Sequence, residues 1–451
     1  MTTATEAAGT TPSEVDIGQL RAIVDDLAER LDDPQQVAAT ASAPENVDQH
    51  PGMPRARPPW GTLGLGETHA GVALLYAELS HRDARYRSIA HAHLAAAAQG
   101  LGQPPGPGLF GGTASLAFAA FMARHDEDDY AGLLETLDAQ VTNQLRTLLS
   151  QEEERLAARQ AGVHMHSYDV ISGAVGLGRY LLLRGQRHRH QLSDTLAYLV
   201  RLTEPVQAHG HTVPGWWAPT KPGIGPQYPR GHFNLGLAHG ISGPLALLSL
   251  AWQQDVRVPG QQNAITVIVD HLTGQQTEQG LWPGAIGFDT LIDGQARHTD
   301  QAPMTAWCYG TPGTARAIQL AGVALERADW QTLATDAMAA ALGQSLENAL
   351  TDSSLCHGWA GILHTADLMA RDSSDPRIAG QLPRLANALQ AAHCPDLSFG
   401  YSYERPYFGP GIRNAPHRAG FLEGSAGIAL ALNAYLNNGP TCPWNTALLV
   451  A

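Results

Sequence analysis

A chain of 451 residues, 44% of them hydrophobic, is long enough to bury a large core, and 42 acidic against 28 basic side chains leave a net charge of −14. That balance argues against a sequence-independent grip on nucleic acid or on anionic lipid, both of which need a basic surface. No apolar run reaches the roughly 18 residues that a spanning helix needs, so direct membrane insertion is not expected.

The chain opens with MTTATEAAGTTPSEVD, which has neither the basic block nor the apolar block of a secretory signal, so a cytoplasmic protein is expected. In a reducing compartment the four unevenly spaced cysteines read as thiols or metal ligands, not as a disulfide framework. Residues 1–60 are expected to hold a flexible segment, a helix and, from Pro34 to Gly61, a proline-rich linker. Residues 61–451 then form one domain.

Within that domain an apolar, small-residue-rich segment recurs seven times. The copies are ETHAGVALLYAEL, GGTASLAFAAFMA, SGAVGLGRYLLLR, HGISGPLALLSLA, YGTPGTARAIQLAG, HGWAGILHTADLMA and EGSAGIALALNAYL. Taking one small residue as the marker of each copy gives Thr68, Gly112, Gly173, Gly240, Gly310, Gly358 and Gly424. The shortest interval, 44 residues from Thr68 to Gly112, still has room for a second helix. Polar-faced stretches such as Tyr130 to Arg159 and Asp329 to Leu350 supply it. The expected fold is therefore all-α: a double-layered α/α toroid with seven inner and seven outer helices and a few irregular or short β insertions. Gly102 to Gly108 reads as a loop. His209 to Asn234, rich in proline and glycine, reads as a rim loop or short hairpin over a central cavity.

The markers label helix N-termini, and in a closed ring those gather at one end. Residues just before the markers then share a cavity. Cys308 and Cys356 each stand two residues before a marker, and His357 stands one before. Two thiols and an imidazole suit a zinc site with one position open; the competing reading is a pair of small core cysteines. His239 lies one before its marker and Asp169 four before, within reach of the cavity; Asp169 also reads as a capping or turn residue. The pair His393–Cys394 is a decoy for the metal site. Cys394 and Cys442 read as core, Arg187 to His190 as a solvated helix end, and His164 and His166 as loop residues.

The motifs SYDVISGAVGLGRYLL, NLGLAHGISGPLALLS, WCYGTPG and CHGWAG, in this order along the chain, resemble the lanthionine-forming cyclases (LanC-type) of class I lantibiotic biosynthesis. The likeness runs from about Gly61 to the end. It implies an α/α toroid and a cyclase acting on a precursor peptide already dehydrated by a partner dehydratase. Export by a transporter would follow, with membrane association only through such a complex. It further implies Zn2+ held by Cys308, Cys356 and His357, which receives a substrate cysteine sulfur for addition to dehydroalanine or dehydrobutyrine. His239 is then the candidate proton donor, Asp169 its orienting or relaying partner, and Tyr309 a pocket hydrogen-bonding group. One position departs from the pattern: Met304 stands where the family often has arginine, and the nearest upstream arginine is Arg297. Two other readings use the same residues: a zinc-dependent binder of thiol peptides that performs no chemistry, and a zinc-dependent thiol alkyltransferase.

Overall fold

The computed structural model describes residues 15–49, 55–102, 106–219, 228–294, 304–350, 352–403 and 413–451. The seven small-residue segments form the helices His69–Leu79, Gly112–Met122, Ala174–Arg184, Ser242–Gln253, Thr311–Ala324, Trp359–Ser373 and Ser425–Leu436. They are buried almost all round, as in Ser425–Leu436, where every residue from Ser425 to Ala434 is inside. Each packs on the next, and the last packs on the first, so the ring is closed.

Seven further helices surround it: Ile17–Arg30, Arg85–Ala98, Ala131–Ala157, Arg189–Leu202, Gln261–Thr273, Ala328–Leu342 and Leu382–Ala392. These bury one stripe only. In Gln261–Thr273 the stripe is Ala264, Ile265, Ile268, Val269 and Leu272, the spacing of one helical face. Ile17–Arg30 belongs to the segment assigned above to a preceding unit, yet it packs on the last inner and last outer helices and completes the outer layer. Leu20, Ile23, Val24 and Leu27 provide its buried face.

The linker expectation for Pro34 to Gly61 holds a helix, Pro34–Ala41, capped by Asp33; residues 50–54 lie outside the described set. Val206–Ala208 and His211–Val213 make the short hairpin, while His232–Asn234 pairs antiparallel with Ala285–Gly287. Residues 220–227 of that insertion and 103–105 of the earlier loop are also outside the described set. Residues 441–451 run inside the ring: Trp444 and Leu449 are fully buried, and Trp307, Arg316 and Arg179 donate to the carbonyls of Leu448, Val450 and Ala451.

The loops entering the inner helices are tied into a circle by backbone hydrogen bonds. The N–H of Leu65 donates to Phe110 (3.2 Å), Phe110 to Ile171 (3.1 Å), Val170 to Ala238 (3.0 Å) and Ala238 to Cys308 (3.2 Å). Cys308 donates to Cys356 (3.2 Å), Cys356 to Leu422 (2.9 Å), and Phe421 to Gly66 (2.7 Å), which closes the circle. The same loops fold back over the first turn of their own helices, which explains the second glycine of each Gly-x-x-Gly. A Cβ on Gly361 would stand 2.0 Å from the carbonyl oxygen of Leu355, and one on Gly427 1.9 Å from that of Phe421.

One sequence reading changes and one keeps its place. Arg187 to His190 is not wholly solvated, because His188 is buried with Nε2 at 3.2 Å from Asp138, which also accepts from Tyr180 and Arg184. The decoy His393 is engaged away from the cysteine cluster, with Nε2 at 3.0 Å from Asp26 of the first outer helix.

Candidate active site and metal centre

The backbone circle sets the height of the site. Cys308 and Cys356 are consecutive members of it, joined by the 3.2 Å bond from the Cys308 N–H to the Cys356 carbonyl, so their side chains start from adjacent points on one rim. One residue further along each loop come His239, Tyr309 and His357 in the fourth, fifth and sixth repeats. A repeat that fixes the backbone therefore delivers these side chains to a common mouth.

The ligating atoms of Cys308, Cys356 and His357 all lie within 4.8 Å of one another. A tetrahedral centre with Zn–S bonds of about 2.3 Å has donor–donor edges of roughly 3.8 Å, so this spacing fits. The chemistry of the donor set fits too. Contact with Cys308, then burial, pushes the Cys356 thiol well above its usual range, since two thiolates side by side repel unless a cation offsets them. Burial opposes charge on His357, but the neighbouring Cys356 and Asp352 outweigh it and hold the imidazole up at about 9. His357 Nε2 stands 3.4 Å from Asp352 Oδ2 and 3.0 Å from the Tyr403 hydroxyl. Asp352 is buried, and its Oδ2 stands beside Nε2, where it can orient the imidazole.

Beside this cluster lies a second one. Asp169 is completely buried; its Oδ1 accepts the backbone N–H groups of Ser172 (2.7 Å) and Gly173 (2.8 Å), so it is the turn-forming residue that its position also suggested, while Gly173 is the N-cap. Its Oδ2 accepts from His239 Nδ1 at 2.6 Å and from His166 Nδ1 at 3.0 Å. Burial alone would raise this carboxyl, but the two histidines hold it below its ordinary value. Tyr309 lies between the clusters. Its ring is 6.2 Å from that of His239, and its hydroxyl accepts from Asn234 Nδ2 at 3.3 Å. Burial, with the charges of Cys308 and Asp169 adding to it, raises the phenol, which stays protonated.

The structure thus brings together Cys308, Cys356 and His357, and separately Asp169, His239 and Tyr309. Sequence reasoning missed His166, which lies in the single-turn helix Met165–Tyr168. Its signal was the spacing HSYD, three residues to Asp169, which sets both on one face of a turn. It missed Asp352 and Asn234 as well, although each stands six residues before a marker, Gly358 and Gly240, and it missed Tyr403, which has no place in the register. Met304 offers no cation, but its carbonyl accepts from the Thr311 N–H at 2.9 Å and so seats the fifth inner helix. Arg297 lies outside the described residues.

A closed α/α toroid with a two-thiol, one-imidazole cluster at the N-terminal mouth of its inner helices defines the class. The sequence pattern of the family described as "Lanthionine synthetase C-like protein" matches residues 59–449, and the chain belongs to that family. It is similar to the nisin biosynthesis protein NisC of Lactococcus lactis subsp. lactis, with 22% identity over 403 residues, 87% of this chain and 90% of that protein. The solved structure of nisin cyclase superposes with a TM-score of 0.70 at 19% identity, covering 96% of this chain and 97% of that one. Among the described residues no helix is long and apolar enough to cross a membrane.

Proposed function

We propose that this protein is a zinc-dependent peptide cyclase that joins cysteine thiols to dehydroalanine or dehydrobutyrine in a dehydrated precursor peptide, forming thioether rings. The observation that carries the reading is the pairing, at one mouth, of a soft three-donor cluster with a carboxylate–imidazole pair, Asp169 and His239. The precursor peptide is the substrate, a dehydratase supplies it, and a transporter consumes the product. The chain acts in the cytoplasm, alone or within a membrane-associated assembly of those partners.

Cys308, Cys356 and His357 would hold the metal, with Nε2 of His357 turned to Asp352 and Tyr403 and Nδ1 the coordinating nitrogen. Zinc bound there lowers the pKa of an incoming thiol, which otherwise ionises near 8.5, so that the sulfur is a thiolate at neutral pH. The remaining steps belong to the chain's own groups. Sulfur addition to the double bond leaves an enolate whose α-carbon needs one proton. His239 would give it: Asp169 accepts from Nδ1–H, which fixes the tautomer and leaves Nε2 to carry the second proton, the one that imidazolium can donate. Asp169 stays ionised and so balances the imidazolium charge. The Tyr309 hydroxyl, protonated and held by Asn234, lies beside His239 as a hydrogen-bonding group for substrate.

The testing experiment uses a synthetic peptide with one cysteine and one dehydroalanine. Cyclisation leaves the mass unchanged, so the readout is alkylation of remaining thiol. A cyclase removes the thiol permanently. A non-catalytic thiol binder gives it back when the protein is denatured, and that result would overturn the proposal.

A further inference from the structure

His166 takes no part in the function argued above, but its surroundings give it one. The buried Asp169 has Oδ1 occupied by two backbone N–H groups, so Oδ2 is the oxygen left to side chains. Two imidazoles share it, His239 at 2.6 Å and His166 at 3.0 Å, and their rings stand edge to face with centroids 5.6 Å apart. They come from different elements, His166 from the turn Met165–Tyr168 and His239 from the loop before the fourth inner helix. Neither ring is sealed in, with side chains 50% and 26% exposed.

The shared acceptor fixes the proton arithmetic. Each ring donates Nδ1–H to the same carboxylate, so each has Nε2 as its titrating nitrogen. One negative charge serves two potential imidazolium ions. A proton on one ring therefore makes the second proton harder to add. The other groups around them are His164, whose ring is 4.9 Å from His166, and the phenols of Tyr309 and Tyr168 near His239 and Asp169. Asp169 is the charge that acts on His166, through its hydrogen bond first, and it raises the imidazole above its ordinary range.

We propose that His166 is a positioning residue of the proton-delivery site, one that sets the proton occupancy of His239 through the Asp169 oxygen they share. The inference rests on the reading of His239 as proton donor. Its consequence is that a proton lost from His239 is replaced under the control of the charge on His166.

The test is a pH titration by NMR of the full chain, zinc-loaded and carrying 13C-labelled histidine, in wild type, His166→Asn and His166→Gln, with His239→Asn to identify the signals. The His239 signal is expected to titrate in two steps in wild type and in one step in both His166 variants. An identical His239 titration in all three proteins would overturn the proposal. In parallel, the rate of thiol loss from the dehydroalanine–cysteine peptide is followed against pH. The variants are expected to change the shape of the profile while KM moves less than about twofold. A uniform loss of rate at every pH, with the shape unchanged, would mark His166 as merely structural and also overturn the inference. If wild type consumes no thiol at any pH, the cyclase reading fails by itself, and the NMR titration still decides the coupling.

Discussion

Under the proposed mechanism Asp169 serves fold and chemistry together. One oxygen holds the turn that leads into the third inner helix and the other holds two histidines, so substitution should separate the roles. In Asp169→Asn the amide keeps an oxygen for the turn but loses the charge that would balance imidazolium. The rate of thiol loss is expected to fall about 10²- to 10⁴-fold, the usual worth of a positioned acid–base group, with zinc content unchanged. A variant that keeps full rate would remove Asp169 from the mechanism. At this scale the sequence was informative where a residue kept the repeat register. Cys308, Cys356, His357, His239 and Tyr309 stand one or two places before a marker. Asp352, Tyr403 and His166 do not; Asp352 and His166 act on neighbours five and three residues away, His357 and Asp169, and only Tyr403 arrives from a distant segment.

Elements show the same contrast between register and context. The Gly-x-x-Gly spacing announced helix starts, and the markers Thr68, Gly173, Gly310, Gly358 and Gly424 are the N-cap residues themselves. The reason for the second glycine became visible only with the fold-back of the loop. Gly361→Ala should cost about 2 kcal/mol or more, because backbone must shift to admit the methyl group. Gly66→Ala, with open space around its Cβ position, should stay within about 0.5 kcal/mol in the same urea unfolding measurement. Equal losses at both sites would refute the close-approach argument. The buried Asp138 makes a second case, since a run of histidines and arginines gave no sign that His188 and Arg184 turn inward to it. Burial raises this carboxyl, but hydrogen bonds from His188, Arg184 and Tyr180 outweigh that and hold it at about 2. Its contribution to stability is thus complete above the ordinary carboxylate value and lost as pH falls through about 2. Asp138→Ala should destabilise by about 3 kcal/mol at neutral pH, because it strands buried Arg184, and should flatten the acid limb of the stability profile.

The whole molecule depends on closure. Seven inner helices and their outer partners were legible from the sevenfold echo, since burial on all sides and burial on one stripe leave different patterns. The place of the first outer helix was not. Ile17–Arg30 carries a one-stripe pattern like the rest, but it lies before the first repeat, and nothing local says that it packs against Ser425–Leu436 across the full length of the chain. Deleting residues 1–31 should expose the last inner helix and lower the thermal midpoint by several degrees or more. An unchanged midpoint would mean that this helix is dispensable to the ring. Closure is also what sets consecutive loops in hydrogen-bonded contact, and so it puts two cysteines 48 residues apart in sequence on neighbouring points of one rim.

The central claim, that this rim builds a metal site, is tested most directly by the zinc content of the purified protein beside Cys356→Ala. One equivalent per chain in wild type, falling to near zero in a variant with unchanged helical content, is the result predicted. A folded wild-type chain that takes up no zinc when the ion is supplied would contradict it, and Cys308 and Cys356 would then be core cysteines.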